Sequence, residues 1–553
     1  MTEDIFVKYK TWCEKVTEEP TKTQLKEMEN DETLIENSFF KDLEFGTGGL
    51  RGILGAGTNC LNNYTIRRIT KGIANAMNKK GQTSVVITYD SRLFSREFSF
   101  TSAEVFADAG IKAYVTKECQ PTPFLSFAVR SLKTDIGINV TASHNPSKYN
   151  GYKVYNSDGC QFTDKGALEL FEYIKEVDPF EVKTDSFENY LKEGKIEFVS
   201  EELITSYIER VKKESLTKIE DVKVCYTPLN GAGHKIVPKL LTELGVKDLN
   251  VVKEQGYPDG NFLTCSYPNP EKKEALKLGI DLLKETNGDI LVATDPDADR
   301  MGVAVKNGDD VVLLTGNEMG VIFFNYILNV RKELKNLPKN PVVVKTIVTT
   351  KMIEAIAKKY GVNVINVLTG FKYIGSVIKG LEDDKRDDDY LFGFEESYGY
   401  LKGSYVRDKD GVVAAMLAVE TCAYYKKQGK TLVDVIEELY KEYGYYENKL
   451  FSYEFAGASG AEKLKNLLDE LREKPIKNLG DGKVVGTIDY LKGVNGLPKS
   501  NVLVFVANNG TEVVIRPSGT EPLVKIYLTV SKTKEENAKD IALVKEQFDK
   551  IFA

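Results

Sequence analysis

The sequence has little histidine and tryptophan, no closely paired cysteines and no excess of basic residues. Its 553 residues include 2 His and 1 Trp. The 7 cysteines contain no CxxC pair and are odd in number, which predicts reduced, mostly buried thiols in the cytosol. With 75 Lys+Arg against 82 Asp+Glu, the net charge is -7, which argues against bulk nucleic-acid binding because that requires a basic surface. A small anionic ligand remains compatible, because it needs only a locally positive site.

Long hydrophobic runs are also absent. The most apolar helical stretch, Met319 to Val330, is broken by Asn325 and Asn329, and its apolar positions form one face. This pattern predicts a core helix and no membrane span. The first residues, MTEDIFVKYK, are acidic where a signal peptide is basic, and no apolar segment follows them. We therefore expect a cytoplasmic protein with neither nucleic acid nor membrane as a partner.

The chain is too long for one hydrophobic core, since domains usually hold ~100–200 residues. The first ~40 residues predict amphipathic helices, because Ile5, Tyr9, Trp12 and Val16 share one helical face. Three units of alternating strands and helices follow. Their strands are predicted at 83–90, 111–117 and 135–141, at 222–229, 246–252 and 289–295, and at 341–350, 362–370 and 390–396. This alternation favours three similar α/β domains with mainly parallel mixed sheets.

The last part of the chain has a different pattern. Strands at 502–508, 511–518 and 523–530 lie close together in sequence, and a charged amphipathic helix is predicted over 533–552. This pattern predicts a smaller α+β domain at the C-terminus. We expect domain boundaries at 1–205, 206–316, 317–448 and 449–553.

The last predicted strand of each α/β unit runs directly into a polar loop. These loops are TASHNPSKYNG (141–151), DPDADR (295–300) and EESYGY (395–400). In open parallel sheets, ligands bind beyond the carboxyl ends of the strands. Three equivalent strand ends could therefore face one central cleft.

DPDADR places Asp295, Asp297 and Asp299 at alternate positions after an apolar strand. Three close carboxylates repel one another unless a cation neutralises them, and ligands that are all oxygen suit Mg²⁺. The loop is not an EF-hand, because Arg300 stands at the position that needs glycine. A solvated acidic turn is the alternative.

TASHNP places Ser143 directly after a strand, with His144 beside it. A serine hydroxyl is a weak nucleophile that needs a base or a metal. The aspartate loop could supply the metal, and Lys153 or His144 could carry a proton. Taken alone, a Ser-His pair is more often a hydrogen-bonded loop.

Two further loops contain groups suited to a phosphorylated sugar. RPSGTEP (516–522) combines the guanidinium of Arg516 with hydroxyls and a glycine, which suits a phosphate dianion. EES (395–397) offers acceptors for sugar hydroxyls. Lys372 in TGFKY and Lys409 in VRDKDG are available as acids, bases or ligands. Each loop taken alone could equally be an ordinary turn with surface side chains.

Together and in this order, these loops closely resemble the α-D-phosphohexomutase superfamily, the phosphoglucomutase/phosphomannomutase family, over nearly the whole chain. FGTGGLRG (45–52), TGFKYIG and GFEESYGY are most similar to its longer subgroup, which includes phosphopentomutase-active members. EES (395–397) resembles the family's sugar-binding loop, called the sugar loop below. One branch of the family has a histidine just after this loop, where this sequence has Gly399 and Tyr400. This difference favours Lys409 as the proton carrier there.

The resemblance implies four domains in a heart-like arrangement around a central cleft, and it implies roles for individual residues. Ser143 would be the phosphoserine and, with Asp295, Asp297 and Asp299, would bind one Mg²⁺. The candidate catalytic residues are Ser143, His144, Lys153, Lys409 and Arg300. The candidate substrate-binding residues are Arg51, Thr369, Gly370, Lys372, Glu395, Ser397, Arg516, Ser518, Gly519 and Thr520.

The implied activity is interconversion of glucose 1-phosphate and glucose 6-phosphate through a phosphoserine and a sugar 1,6-bisphosphate, with glucose 1,6-bisphosphate as activator. Phosphopentomutase or phosphomannomutase specificity, or glucose 1,6-bisphosphate synthase activity, is the alternative. A phosphatase with Asp295 as nucleophile and a catalytically silent phosphosugar-binding protein are further alternatives. The protein is expected to be a monomer or a homodimer.

Overall fold

The strands of the described residues form four sheets that follow one another along the chain. The structure is a computed structural model, and it describes residues 2–44, 49–455, 457–494, 496–518 and 523–552. We call each sheet with its helices a unit and number the units in chain order.

The first unit is preceded by the predicted amphipathic helices, which pack through Tyr9, Trp12 and Phe39. Its sheet has the order β2-β1-β6-β5-β3-β4-β7, in which β6 is antiparallel to both of its neighbours. The elements are α1 Glu3–Lys15, α2 Glu19–Glu27, α3 Glu32–Phe39, β1 Gly49–Leu54, β2 Cys60–Leu61, α4 Asn63–Lys79, β3 Ser84–Tyr89, α5 Ser95–Asp108, β4 Lys112–Val115, α6 Thr122–Leu132, β5 Ile136–Val140, β6 Tyr149–Asn156, α7 Asp164–Lys175, α8 Phe187–Lys192, β7 Ile196–Phe198 and α9 Glu201–Lys212.

The second and third units have smaller mixed sheets, in the orders β12-β11-β10-β8-β9 and β14-β13-β15-β16. The second contains β8 Lys223–Thr227, α10 Gly233–Glu243, β9 Asp248–Val251, α11 Lys277–Glu285, β10 Ile290–Thr294, β11 Met301–Asn307 and β12 Asp310–Leu314. The third contains α12 Gly316–Glu333, β13 Val342–Thr346, α13 Met352–Tyr360, β14 Asn363–Val367, α14 Phe371–Asp383, β15 Tyr390–Glu395, β16 Gly399–Leu401, α15 Gly411–Lys426 and α16 Leu432–Tyr443.

The fourth unit is an antiparallel sheet with helices, in the order β17-β22-β21-β20-β19-β18. The predicted α+β character of the C-terminus is thereby confirmed. Its elements are β17 Tyr445–Glu454, α17 Gly457–Glu473, β18 Asn478–Leu479, β19 Gly482–Asp489, β20 Leu503–Ala507, β21 Glu512–Pro517, β22 Leu523–Lys532 and α18 Lys534–Phe552. Short 3₁₀ turns lie at Lys253–Gln255, Asp387–Asp389 and Tyr490–Lys492.

The three polar loops have the same position in their units. In each case a parallel strand leads through the loop into a strand antiparallel to it, from β5 to β6, from β10 to β11 and from β15 to β16. The mixed α/β class is as predicted, but these three return strands were not. Because of these return strands, each polar loop connects two antiparallel strands that are hydrogen-bonded to each other. The paired strands fix the two ends of each loop.

Helix α15 joins the second and third units. It is buried on nearly all sides, and its core residues pack in one cluster with residues of β10, β11 and α12. Its first residue, Gly411, donates its N–H to the carbonyl of Ala298 at 3.0 Å, and a Cβ at Gly411 would lie 2.5 Å from that oxygen. The close approach requires glycine and places the segment before α15 against the aspartate loop.

Candidate active site

The serine loop presents Ser143 in a conformation that few residues other than glycine adopt. Its φ is 53°, its side chain is buried, and its N–H donates to Thr141 Oγ1 at 2.8 Å. The Ser143 hydroxyl donates to Asp295 Oδ2 at 2.8 Å and lies 3.2 Å from His144 Nδ1. Such backbone strain persists only where surrounding contacts hold it, and it is common at functional sites.

Those surrounding contacts come from two residues that the sequence reasoning missed. The buried guanidinium of Arg92 donates to the carbonyls of Ser143 at 2.5 Å and of Pro146 and Tyr149 at 3.0 Å each, and also to that of Asn145. Asp90 pairs with Arg92 at 3.3 Å. Asp90 is the last residue of the strand predicted at 83–90 and Arg92 follows it, so the rule that located the other loops could also have found them.

The three aspartates of the second unit lie together and are fully buried. Their donor atoms lie within 4.8 Å of one another, which makes them the one candidate cluster of metal ligands found among the described residues. Burial, together with the nearby charges of Asp297 and Asp299, raises the pKa of Asp295 well above its usual value. Burial also disfavours ionisation of Asp297, but the Lys153 ammonium outweighs it and lowers the pKa of Asp297.

This cluster fits a divalent cation. Within the described residues, Asp297 Oδ1 and Asp299 Oδ1 are buried and have no hydrogen-bond partner. Buried carboxylate oxygens are otherwise paired, because leaving them unpaired costs free energy. Carboxylate oxygens are hard ligands, which Mg²⁺ prefers.

Two lysines reach the aspartates from different units. Lys153, on β6 of the first unit, donates to Asp297 Oδ2 at 2.8 Å and to Asp299 Oδ2 at 3.3 Å. Lys409, from the segment before α15, lies 2.8 Å from Asp299 Oδ2. Burial would lower the pKa of each lysine, but the adjacent carboxylates outweigh it and raise both pKa values. Both ammonium groups therefore partly neutralise the cluster.

The glycine after the sugar loop makes room for Lys409. A Cβ at Gly399 would lie 2.6 Å from Cδ of Lys409. A histidine at position 399 would therefore occupy the space that the Lys409 side chain fills. The geometry explains in steric terms why this sequence combines a glycine at 399 with a lysine that reaches Asp299.

His144 and Arg300 lie beside the same cluster. Burial, followed by the nearby Arg300 guanidinium, lowers the pKa of His144 well below its usual value, so its imidazole is neutral at pH 7. The Arg300 guanidinium donates to Glu271 Oε1 at 2.9 Å and to the Ser397 carbonyl at 3.2 Å. Arg300 thus connects the aspartate loop to the sugar loop. The sequence reasoning did not single out Glu271.

The sugar loop lies at the end of β15 in the third unit. Glu395 is buried, and its Oε1 accepts the N–H of Gly370 at 2.8 Å, which joins the loops after β14 and β15. Thr369 Oγ1 is buried without a hydrogen-bond partner in the described part of the chain. Lys372 is buried at the start of α14. Ser397 is half-buried.

Glu396, in the same loop, was not among the predicted site residues, yet its surroundings shift its pKa. Thr346 Oγ1 and Thr349 Oγ1 donate to its Oε2 at 3.3 and 3.4 Å. Burial, together with the charge of Glu395, raises the pKa of Glu396 to about 7, while Arg516 opposes that rise. Because Arg516 belongs to the fourth unit, charged groups of the third and fourth units lie near each other here. Within the fourth unit, Arg516 also interacts with Tyr527.

The remaining candidates come from the phosphate loop RPSGTEP and from the FGTGGLRG motif. Arg516 and Ser518 are half-buried at the end of β21, and the Ser518 N–H donates to the Leu523 carbonyl at 2.8 Å. Gly519 and Thr520 lie outside the described residues. Arg51 is exposed on β1, and its Nη1 donates to Asn145 Oδ1 at 3.2 Å, in the serine loop.

Comparison with known families matches the chain in four segments. Residues 42–180, 205–308 and 315–443 match phosphoglucomutase/phosphomannomutase alpha/beta/alpha domains I, II and III, and residues 462–544 match its C-terminal domain. The chain belongs to the phosphoglucomutase/phosphomannomutase family. The resemblance predicted from the loops is confirmed, and this member of the family is an enzyme of the phosphosugar mutase class.

Known relatives align with this family member over most of its length. The phosphoglucomutase of Staphylococcus haemolyticus is 36% identical over 515 residues, which cover 90% of this chain and 92% of the relative. That of Staphylococcus saprophyticus is 35% identical over 537 residues, covering 94% and 96%. The crystal structure of a putative phosphomannomutase from Thermus thermophilus has the same fold, with a TM-score of 0.70 at 22% identity, and covers 92% of this chain and 99% of that one. None of the described helices is both long enough and apolar enough to cross a membrane.

Proposed function

We propose that this protein is a phosphoglucomutase that interconverts glucose 1-phosphate and glucose 6-phosphate through a phosphoserine at Ser143. One observation carries the proposal. The Ser143 hydroxyl lies 2.8 Å from a carboxylate of a buried three-aspartate cluster. The staphylococcal relatives, at 36% and 35% identity, are phosphoglucomutases.

Asp295, Asp297 and Asp299 would hold one Mg²⁺, together with an oxygen on Ser143. The unpaired buried oxygens of Asp297 and Asp299 support this assignment. When bound, the cation neutralises negative charge on the phosphoryl group.

The reaction transfers one phosphoryl group in each direction. In the first transfer, the bond between phosphorus and Ser143 Oγ breaks and a bond forms to the free sugar hydroxyl, whose proton ends on Ser143 Oγ. The product is glucose 1,6-bisphosphate, which turns over in the cleft. In the second transfer, the other phosphate returns to Ser143 Oγ, the serine proton moves to the sugar oxygen, and the phosphoserine is regenerated. Glucose 1,6-bisphosphate therefore also serves as the activator that loads an unphosphorylated enzyme.

Three groups lie where they could carry the proton. His144 Nδ1 lies 3.2 Å from Ser143 Oγ, and Lys153 and Lys409 contact the adjacent aspartates. Arg300 would orient the sugar loop through the Ser397 carbonyl.

The sugar and its second phosphate would bind between the third and fourth units. Glu395 and Ser397 would accept or donate hydrogen bonds to ring hydroxyls, beside Thr369, Gly370 and Lys372. Arg516, Ser518, Gly519 and Thr520 would hold the phosphate that does not react, and Arg51 would face it from the first unit. A guanidinium with adjacent hydroxyls and backbone N–H groups suits a phosphate dianion.

Other properties of the protein follow as further proposals. Pentose or mannose phosphates, and glucose 1,6-bisphosphate synthesis, are the alternatives to glucose 1-phosphate. We assign the protein to the cytoplasm as a monomer or homodimer, with domain boundaries at 1–205, 206–316, 317–448 and 449–553.

A coupled assay of glucose 6-phosphate formation, with Mg²⁺ and glucose 1,6-bisphosphate, tests the function. We expect turnover by the wild-type protein and none by Ser143→Ala. Labelled bisphosphate should transfer phosphate to the wild-type protein and not to the variant. Appreciable mutase turnover by Ser143→Ala would refute the proposal.

Release of free phosphate from glucose 1-phosphate would instead favour a phosphatase with Asp295 as nucleophile. The geometry disfavours it, because Asp295 Oδ1 accepts the N–H groups of Asp299 and Arg300 and Oδ2 accepts the Ser143 hydroxyl. Binding of these sugar phosphates with neither mutase turnover nor phosphate release would instead indicate a catalytically silent phosphosugar-binding protein.

A further inference from the structure

Strand β6 directs a second side chain toward the site besides Lys153. In a strand, residues two apart lie on the same face. Tyr155 therefore shares the face of Lys153, and it is fully buried. Its hydroxyl donates to Asp408 Oδ2 at 2.5 Å, although the two residues are 253 positions apart in sequence. The contact joins the first unit to the segment that carries Lys409.

Both oxygens of Asp408 have partners that fix the carboxylate. Oδ2 accepts Tyr155 and also Gln161 Nε2, at 3.3 Å. Oδ1 accepts the backbone N–H of Lys409 at 2.8 Å and lies 3.6 Å from Lys409 Nζ. Asp408 is buried. Its orientation therefore places negative charge on one side of the Lys409 ammonium.

The same ammonium also lies 2.8 Å from Asp299 Oδ2. A lysine side chain has a flexible four-carbon stem, and a single ion pair does not fix its course. Carboxylates of two different units contact the ammonium, and Gly399 lies against the lysine stem, so together they restrict the side chain. The placement of Lys409 thus depends on Asp408, and Asp408 depends on Tyr155.

The backbone of this segment is held by other contacts. Arg407 donates its N–H to Ser126 Oγ at 2.9 Å, and its buried guanidinium donates to Glu382 Oε2 at 2.5 Å. The carbonyl of Arg407 also packs so closely on Gly375 that a Cβ there would lie 2.4 Å away. Removing the Tyr155 hydroxyl would therefore leave the Asp408 carboxylate with only the Gln161 amide and the Lys409 N–H as hydrogen-bond donors, and would leave the course of the chain in place.

We infer that Tyr155 and Asp408 are positioning residues for phosphoryl transfer, and that their hydrogen bond across the interface between the first and third units holds the Lys409 ammonium against Asp299. The inference rests on the proposed function, because the two residues act through a lysine of the proposed site. It assigns Tyr155 a role beyond filling the core.

Tyr155→Phe and Tyr152→Phe form a matched pair for the test. Tyr152 lies on the other face of β6, is also fully buried, and shares hydrogen bonds with Thr70 at 3.0 Å and Ser102 at 3.2 Å. We expect Tyr155→Phe to lower kcat about 10-fold, as for loss of a hydrogen bond to a charged group, with KM within about twofold. Tyr152→Phe should leave kcat within about twofold. Equal effects of the two variants on kcat would overturn the inference.

A double-mutant cycle with Lys409→Met tests whether Tyr155 acts through the lysine. The readout is single-turnover loss of ³²P from the phosphorylated enzyme after addition of glucose 1-phosphate, which can follow slow variants for hours. We expect Tyr155→Phe to cause no further loss of rate in the Lys409→Met background. Rate losses that multiply would overturn the inference.

The remaining outcomes are also assigned. If Tyr155→Phe does not fold, Asp408→Asn enters the same cycle with the same expected result. If the wild-type protein accepts no phosphate from the bisphosphate, the proposed function fails and this inference fails with it. An active wild type whose Tyr155 variants behave like Tyr152→Phe refutes only the inference.

Discussion

Replacing Gly399 by alanine should reduce turnover and lower stability only modestly. A Cβ at this position would lie 2.6 Å from Cδ and 3.4 Å from Cβ of Lys409, so the lysine side chain has to move. The φ of Gly399 lies outside the positive region, so the backbone itself accepts alanine.

The size of the effect follows from the contact that is lost. A hydrogen bond to a charged group contributes roughly 1.5–3 kcal/mol, and about 1.4 kcal/mol corresponds to a tenfold change in rate. Loss of the Lys409–Asp299 contact in the transition state should therefore lower kcat about 10- to 100-fold. Asp299 keeps Lys153 as a partner at 3.3 Å, so no buried charge is left without a counter-charge. Alanine in place of glycine stabilises a compatible position by about 0.4–1 kcal/mol through the unfolded state, which offsets part of the cost of moving the lysine.

The assays are kcat from glucose 6-phosphate formation and Tm from thermal unfolding. Gly380→Ala is the matched control, because Gly380 lies on the exposed face of α14 and nothing lies within 4 Å of a Cβ there. It should raise the free energy of unfolding by about 0.5–1 kcal/mol and leave kcat unchanged. If Gly399→Ala keeps kcat within about twofold of the wild type, Lys409 does not need its observed position and the reasoning is wrong.

Further predictions concern the metal, the serine loop and Glu396. Chelation with EDTA should abolish turnover, and added Mg²⁺ should restore it. Asp297→Asn should raise the Mg²⁺ concentration that gives the half-maximal rate. A variant with the same Mg²⁺ dependence as the wild type would contradict the assigned ligands. Arg92→Met should lower both Tm and kcat. The free energy of unfolding should fall by about 3–5 kcal/mol, because the substitution leaves Asp90 buried without its ion-pair partner. A variant with wild-type Tm would contradict this prediction. The pKa of Glu396 is raised to about 7, so the folded state binds a proton more tightly than the unfolded state and stability falls as pH rises from about 4.5 to 7. Glu396→Gln should therefore raise Tm relative to the wild type at pH 8 and change it little at pH 4.5; equal changes in Tm at the two pH values would contradict the assignment.

Strands that lead into functional loops were readable from the sequence because they are apolar, β-branched and followed by polar residues. DILVATD, for example, predicts a strand over 289–295, and the structure has Ile290–Thr294. Ser143 and the aspartates were found because the rule about strand ends is local. Their meeting in one site could be expected from the equivalence of the three units.

The return strands β6, β11 and β16 were harder to predict because their sequences begin inside the loop motifs or directly after them. β16 contains three residues, too few to show alternation. Arg92 stands just beyond a predicted strand end, so its position was open to the same rule, but its role was not: it depends on carbonyl groups over 50 residues away, and a contact of that range leaves no local pattern. The pairing of Tyr155 with Asp408 lies at an interface between units, where no periodicity in either segment points to the other.

The assembly of the site from distant segments has a consequence for its folding. The Ser143 and Asp295 side chains that meet are 152 positions apart, and Tyr155 meets Asp408 across 253. Units of a large chain fold individually and dock later, and the N-terminal part leaves the ribosome first. A nascent chain that ends before residue 409 can hold the serine and the carboxylates but lacks the second lysine. Recovery of activity during refolding should therefore lag behind the return of secondary structure, and its rate would report the final docking of the third unit.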